Sequence, residues 1–521
     1  MVVRSLVRKN EYRDSVVLMR VSQQLESLEG VRKASAIMAT DNNKKLLKDA
    51  GLLTDEISKA GPNDLAISVE AETTKLAEKA ISAVDSILAE KTTGSCEVTV
   101  LKTLNAAIKI SPKANLVLIS VPGPFAAREA MTALKAGKHV FIFSDGVSIK
   151  EELKLKKFGE ENGLLVMGPD CGTAIINGVG LGFSNVVKRG PIGIVGASGT
   201  GIQQVSSLVD EVGVSQAIGT GSNDLNETIG GITMRMGLKL LNEDPNTKVV
   251  VVISKPPGPK TSKEILKVIK SMKKPVVVDF IGGAASDIKH AGAIPATTLE
   301  DAAAKAVALV RGEKPTSIIF TQKPDEIKAI VEKESKRLNA NQKYIRGLFS
   351  GGTFCYESML ILRDLIGEVY SNTPLHPNLK LDDIQKSREN TCIDMGTGWY
   401  TVGRPHPMID FRFRKERLLN EALDPETAVI LLDIVLGYGA HTDPAGEIVP
   451  VIKQAKAMAK RGGRYLPIVA TICGTRGDPQ GLEEQKKKLK DAGVVLMPSN
   501  AQAARIAALI ATRGKVWGKL K

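Results

Sequence analysis

The sequence predicts an α/β protein, most of it wound as parallel sheets with helical crossovers, behind a small α+β unit at the N-terminus. Three observations predict this. From Ala114 onward, short apolar β-branched runs such as ANLVLISV, HVFIFSD and VVVVIS alternate with helical segments, the pattern of right-handed crossovers in a parallel sheet. The stretch GPIGIVGASGTGIQQVSSL (190–208) sets a buried strand, a turn of small residues and a helix in direct succession. About 150 residues later YIRGLFSGGTFCYESMLIL repeats that order, which reads as a distant internal duplication.

Taken in order, residues 1–110 form the α+β unit. Strands are expected near Val2–Val7, Ala34–Ala39, Asp64–Val69 and Cys96–Leu101. A helix from Ser15 to Leu28 has Val17, Val21, Leu25 and Leu28 on one face, and another carries Leu76, Ala80 and Leu88. Residues 111–187 form a first α/β unit with helices at Phe125–Ala136 and Ile149–Asn162. It also holds the proline-flanked turn VPGPFAAREA at a strand's carboxyl end, where such sheets collect ligands; a plain turn is the equal alternative. Residues 188–312 begin with the first Gly-rich turn and leave Asp224, Asn226, Glu227, Lys255 and His290 at strand ends. Residues 313–341 read as a connector with one charged helix, and 342–521 repeat the architecture around the second turn.

Size and composition narrow the function. A chain of 521 residues exceeds one core and implies two to four domains. Aromatics at 4% argue against stacking platforms for single-stranded nucleic acid, so the net charge of +14 fits small anionic ligands or an acidic partner subunit. Five scattered cysteines form neither a zinc spacing nor a secreted disulfide framework, and no apolar run reaches the roughly 20 residues of a membrane span. A cytoplasmic protein without metal, nucleic acid or membrane contact is the expectation.

Both Gly-rich turns suit an anion. Glycines let backbone N–H groups converge, hydroxyls add donors, and a helix N-terminus carries about half a positive charge. The expected phosphate-binding set is Ser198, Gly199, Thr200 and Gly201 with Ser350, Gly351, Gly352 and Thr353. Arg404 and His406 lie in VGRPHP, where prolines stiffen the loop and an Arg fork matches phosphate or carboxylate; a structural turn is the alternative. Asn226, Asp394, His441, Asp443 and Arg476 are further strand-end candidates, each of which also reads as an ordinary loop residue. Cys171, Cys355 and Cys473 have no sequence-local base and read as packing.

From about Ala114 to Ala302 the chain resembles the α subunit of succinyl-CoA synthetase, through VPGPFAAREA, GPDCGTAI, GASGTG and KHAGAI, and residues 342–521 resemble the carboxyl-terminal domain of its β subunit. The whole layout, GRPHPMID included, resembles the FdrA family of synthetase-like proteins. The resemblance implies a Rossmann-like CoA-binding-type domain at 111–187, followed by flavodoxin-like ligase-type domains at 188–312 and 342–521. The ATP-grasp domain is missing, residues 1–113 hold no Gly-rich CoA loop, and PATTLEDAA replaces the synthetase's Gly-rich loop after HAGAI. By the same resemblance the chain is a carbamoyltransferase component in purine or allantoin breakdown, oligomeric and acting with partner subunits. It would take phosphate or carbamoyl phosphate as substrate and use His290, Arg404 and His406 in catalysis. His290 would be a phosphoryl-accepting nucleophile or a proton-shuttling donor. An acyl-CoA synthetase using CoA and an anion-binding regulatory scaffold are the alternatives.

Overall fold

The computed structural model describes residues 1–13, 15–89, 101, 103–401 and 405–520. The chain divides into two compact units, Met1–Val100 with Met395–Phe413, and Leu101–Asp394 with Arg414–Lys521.

The first unit is built on an antiparallel sheet of Val2–Arg8, Leu65–Ala71 and Val31–Met38, with Leu65–Ala71 in the middle. That central strand, LAISVEA, is buried except at Glu70, because both faces are covered. Helix Ser15–Glu26 delivers Val21 and Leu25 of the expected face to a core with Ala34, Ala36, Ile67 and Val69; Leu18 stands there in place of the expected Val17, and Leu28, beyond the helix, packs against it partly buried. The expected helix through Leu76 and Leu88 is two helices, Thr74–Ser82 and Val84–Ala89. The expected strand at Cys96–Leu101 lies outside the described residues except for Leu101.

The second unit contains three sheets. Leu116–Ile119, His139–Ile142 and Val166–Met167 form a small parallel sheet, covered by Ala126, Ala130 and Leu134 of helix Gly123–Lys135. The run LLVMGPDCGTAII does not stay in one sheet. Gly168 and Asp170 both take positive φ and turn the chain, so that Thr173–Ile176 pairs with Val179–Gly182 as an antiparallel hairpin on the edge of the next, seven-stranded sheet.

The two larger sheets share one winding. The seven-stranded sheet runs Ile294–Pro295, Val276–Phe280, Val249–Ser254, Arg189–Gly196, Val214–Gly219 and then the hairpin. The six-stranded sheet runs Val495–Met497, Ile468–Cys473, Thr427–Val435, Tyr344–Phe349, Thr391–Asp394 and the short Tyr370–Ser371. Setting the edge additions aside, each reads 5-4-3-1-2 in chain order, the doubly wound order of flavodoxin-like sheets. Both Gly-rich turns therefore leave the carboxyl end of the first strand, where the direction of winding reverses.

Strand Val276–Phe280 carries a carboxyl group in its core. Asp279 is fully buried, neither of its oxygens has a hydrogen-bond partner among the described residues, and burial together with Glu357 and Asp301 holds its pKa well above 3.8 against the opposing charge of Lys305. A carboxyl whose folded pKa is raised binds its proton more tightly in the folded state. Stability is therefore lost as pH rises above the unfolded value of about 3.9. Asp279→Asn is expected to raise the melting temperature, with a gain that is larger at pH 8 than at pH 4 in thermal denaturation followed by circular dichroism.

Candidate functional site

In the first turn, the strand Arg189–Gly196 ends where Ala197 donates its N–H to the Ile253 carbonyl at 3.0 Å. Ser198 caps the following helix, Gly199–Leu208, its Oγ accepting the Gly201 N–H at 2.9 Å. A Cβ on Gly201 would lie 2.6 Å from Ser198 Oγ and 2.9 Å from Ile253 Cγ2, so close approach demands glycine here.

The second turn solves the same problem with a different residue. The cap of helix Gly352–Ile366 is Gly351, which has no side chain to offer. A carboxylate from the neighbouring strand fixes the turn that leads into the helix: Asp433 accepts the Ser350 N–H at 2.8 Å, the Ser350 hydroxyl at 2.7 Å and the Gly351 N–H at 3.0 Å. Gly196 pairs with Ile253 and Leu348 with Leu432, so Asp433 stands in the second sheet where Ile253 stands in the first. Its charge is balanced by buried Arg414, whose Nη2 donates to Asp433 Oδ1 at 2.6 Å and to the Leu348 carbonyl at 2.8 Å.

The two turns meet. Ser198 Oγ and Thr353 Oγ1 are hydrogen-bonded to each other, and a Cβ on Gly351 would lie 2.8 Å from Thr200 Cγ2. Two helix N-termini thus converge, and the N–H groups of Gly199, Thr200, Gly352 and Thr353 have no hydrogen-bond acceptor among the described residues. Asp394 borders the second of them: a Cβ on Gly352 would stand 2.7 Å from its Oδ2. Asn372 fixes the Asp394 backbone, donating from Nδ2 to its carbonyl at 2.7 Å and accepting its N–H at 2.9 Å. The arrangement presents N–H and hydroxyl donors on one side and a carboxylate acceptor on the other.

The other expected site residues are distributed as follows. Of the expected phosphate-binding set, the N–H groups of Ser350 and Gly351 and the Ser350 hydroxyl are committed to Asp433, the Gly201 N–H to Ser198, and the Ser198 and Thr353 hydroxyls to each other. His290 ends the short helix Ala285–His290 and is exposed, with Nδ1 2.8 Å from the Ser286 carbonyl. A carbonyl only accepts, so in the neutral ring Nδ1 carries the proton and Nε2 the lone pair. Asn226 accepts the N–H groups of Thr228 and Ile229 and organises its own loop. His441 accepts the Asp443 N–H, Asp443 caps helix Pro444–Arg461, and Arg476 is 86% exposed. His406 belongs to the first unit and accepts the Met408 N–H at 3.3 Å; Arg404 lies outside the described residues. Burial pushes the thiol of Cys171 up to about 12 and those of Cys355 and Cys473 up as well, which suits packing and not nucleophilic attack. The sequence reading passed over Asp433 and Arg414, although an acidic residue inside AVILLDIVLG was a signal, since a buried charge needs a partner.

Asp433→Asn would leave Arg414 buried without its counter-ion. The expected loss of stability is about 3–5 kcal/mol, read as a lowered midpoint in urea denaturation.

Family models match three stretches: CoA-ligase at residues 348–510, CoA binding domain at 187–282, and AllF, heavy metal-associated domain, at 1–100. The CoA binding match falls on the first Gly-rich turn and its sheet. Among the described residues no group of three or more His, Cys, Asp or Glu side chains could hold a metal ion. Over 517 residues, 99% of this chain and 100% of the relative, the sequence is 43% identical to the uncharacterized protein YahF of Escherichia coli. It is 31% identical over 204 residues, 37% of this chain and 66% of the relative, to the α subunit of the ADP-forming succinate–CoA ligase of Aquifex aeolicus. A dinucleotide-forming acetyl-coenzyme A synthetase of Ca. Korarchaeum cryptofilum aligns over 82% of this chain and 90% of its own at 16% identity and a TM-score of 0.35. With a full-length relative at this identity and a synthetase-like pair of turns, the chain belongs to the FdrA family of succinyl-CoA-synthetase-like proteins.

Proposed function

We propose that this chain is a subunit of a carbamoyltransferase, acting with partner subunits to move a carbamoyl group between an ureido compound or carbamoyl-oxamate and phosphate. The observation that carries the reading is the Ser198–Thr353 contact, which joins two helix N-termini into one set of anion donors beside the Asp394 carboxylate. Phosphate would lie against the N–H groups of Gly199, Thr200, Gly352 and Thr353. The carbamoyl amide would donate to Asp394, which a simple carboxylate substrate could not do.

In the phosphate-consuming direction a hydrogen phosphate oxygen attacks the carbamoyl carbon, a C–O bond forms and the C–N bond to the donor breaks. The proton lost by phosphate balances the one gained by the departing nitrogen, so carbamoyl phosphate and the amine or amide are formed without an added reagent. The preorganised N–H donors stabilise charge on the phosphate oxygens, an effect that supplies a few kcal/mol in comparable sites.

A second reading, an acyl-CoA synthetase with a phosphohistidine intermediate, draws support from the CoA-ligase and CoA binding matches and from the tautomer of His290, whose Nε2 lone pair is the one free to attack phosphorus. One experiment separates the two. The purified protein, with and without the products of neighbouring genes, is expected to give phosphate-dependent carbamoyl phosphate from ureido compounds and to retain no radiolabel from ATP or an acyl phosphate. Absence of carbamoyl phosphate, with radiolabel from ATP or an acyl phosphate retained on the wild type and lost in His290→Ala, would replace the first reading by the second.

A further inference from the structure

The paired turns have little formal positive charge of their own, since Arg414 is spent on Asp433 and Asp394 adds a negative charge. A small dianion needs a cation near the donors as well as dipoles. Among the strand-end residues around the turns, Lys255 meets that need.

Lys255 leaves the end of strand Val249–Ser254 two residues after Ile253, the residue whose carbonyl accepts the Ala197 N–H of the first turn and whose Cγ2 would crowd a Cβ on Gly201. Pro256 and Pro257 follow it and restrict the loop. Its ammonium sits over the ring of Tyr356, 5.1 Å from the centroid. Tyr356 lies three residues beyond Thr353 on the second helix, one turn along the same face, a spacing of about 5–6 Å between Cβ atoms. The lysine thus springs from the strand that neighbours the first turn's own strand and ends over a ring one helical turn beyond Thr353 of the second. It is exposed and has no carboxylate or hydrogen-bond partner among the described residues; its contact is the aromatic face. A cation held at an exposed site by an aromatic face alone can exchange it for a stronger anionic partner.

We infer that Lys255 is the anion-specificity residue of the paired-turn site, moving from the Tyr356 ring to a phosphate or acyl phosphate oxygen held by Gly199, Thr200, Gly352 and Thr353. The inference rests on the phosphate-handling reading of those turns and adds to it the charge that selects a dianion. Tyr356 is a positioning residue that parks the ammonium within reach.

The test is calorimetric titration of the full chain with inorganic phosphate at low and raised ionic strength. Wild type is expected to bind phosphate with an affinity that falls as salt rises. Lys255→Met is expected to lose about tenfold or more and most of the salt dependence, while Lys255→Arg keeps binding within about threefold. Gly352→Val, which would press on Asp394, serves as the control for the turns. Loss in Gly352→Val with wild-type affinity in Lys255→Met would overturn the lysine's role and leave the paired-turn reading standing. No phosphate binding by the wild type would overturn both. Lys255 is exposed, so melting temperatures of its variants should match the wild type, and a fall in Lys255→Met alone would assign the lysine to structure and sink the proposal.

Discussion

The buried pair of Asp433 and Arg414 is the interaction on which the second half of the candidate site depends. Helix Gly352–Ile366 has a glycine at its cap position and no side chain there to hold the turn that leads into it. Asp433 reaches across from the adjacent strand and takes the N–H groups of Ser350 and Gly351, and Arg414 makes that carboxylate tolerable by balancing its charge in the core. The arrangement also selects which donors stay open. With Ser350 and Gly351 committed, the N–H groups of Gly352 and Thr353 are the ones that face the first turn.

The two sheets have the same winding, yet their turns are chemically unequal. In the first, Ser198 caps its own helix and apolar Ile253 lies behind it; in the second, glycine caps and a carboxylate lies behind. The Ser198–Thr353 contact couples the two turns through neutral hydroxyls.

Buried acids recur in this unit, on strand and helix alike, and their partners differ. Glu357 accepts the Leu299 N–H at 2.8 Å and an Asn500 amide at 2.7 Å, and burial still raises its pKa. Asp279 has no such donors among the described residues, and burial raises its pKa further from the ordinary carboxylate range. The two carboxyls and Asp301 share one neighbourhood with Lys305, which donates to Asp301 at 2.7 Å and to the Pro295 carbonyl at 2.8 Å.

What the amino-acid sequence determined by itself was local and periodic. Helix and strand spacing located the elements of Ser15–Glu26, Arg189–Gly196 and Tyr344–Phe349 within a few residues, and the repeated strand, small-residue turn and helix exposed the duplicated winding, because these follow from which side chains face a core. What only the tertiary structure decided was which N–H groups remain available. Asp433 is more than 80 positions from Ser350 and Thr353 is 155 from Ser198, and no periodicity encodes a hydrogen bond between strands that winding alone brings together. The placement of His290 on an exposed helix end, of Asn226 within its own loop and of Lys255 over Tyr356 was likewise set by packing, since each residue type at a strand end is compatible with a site or a plain turn until its neighbours are known.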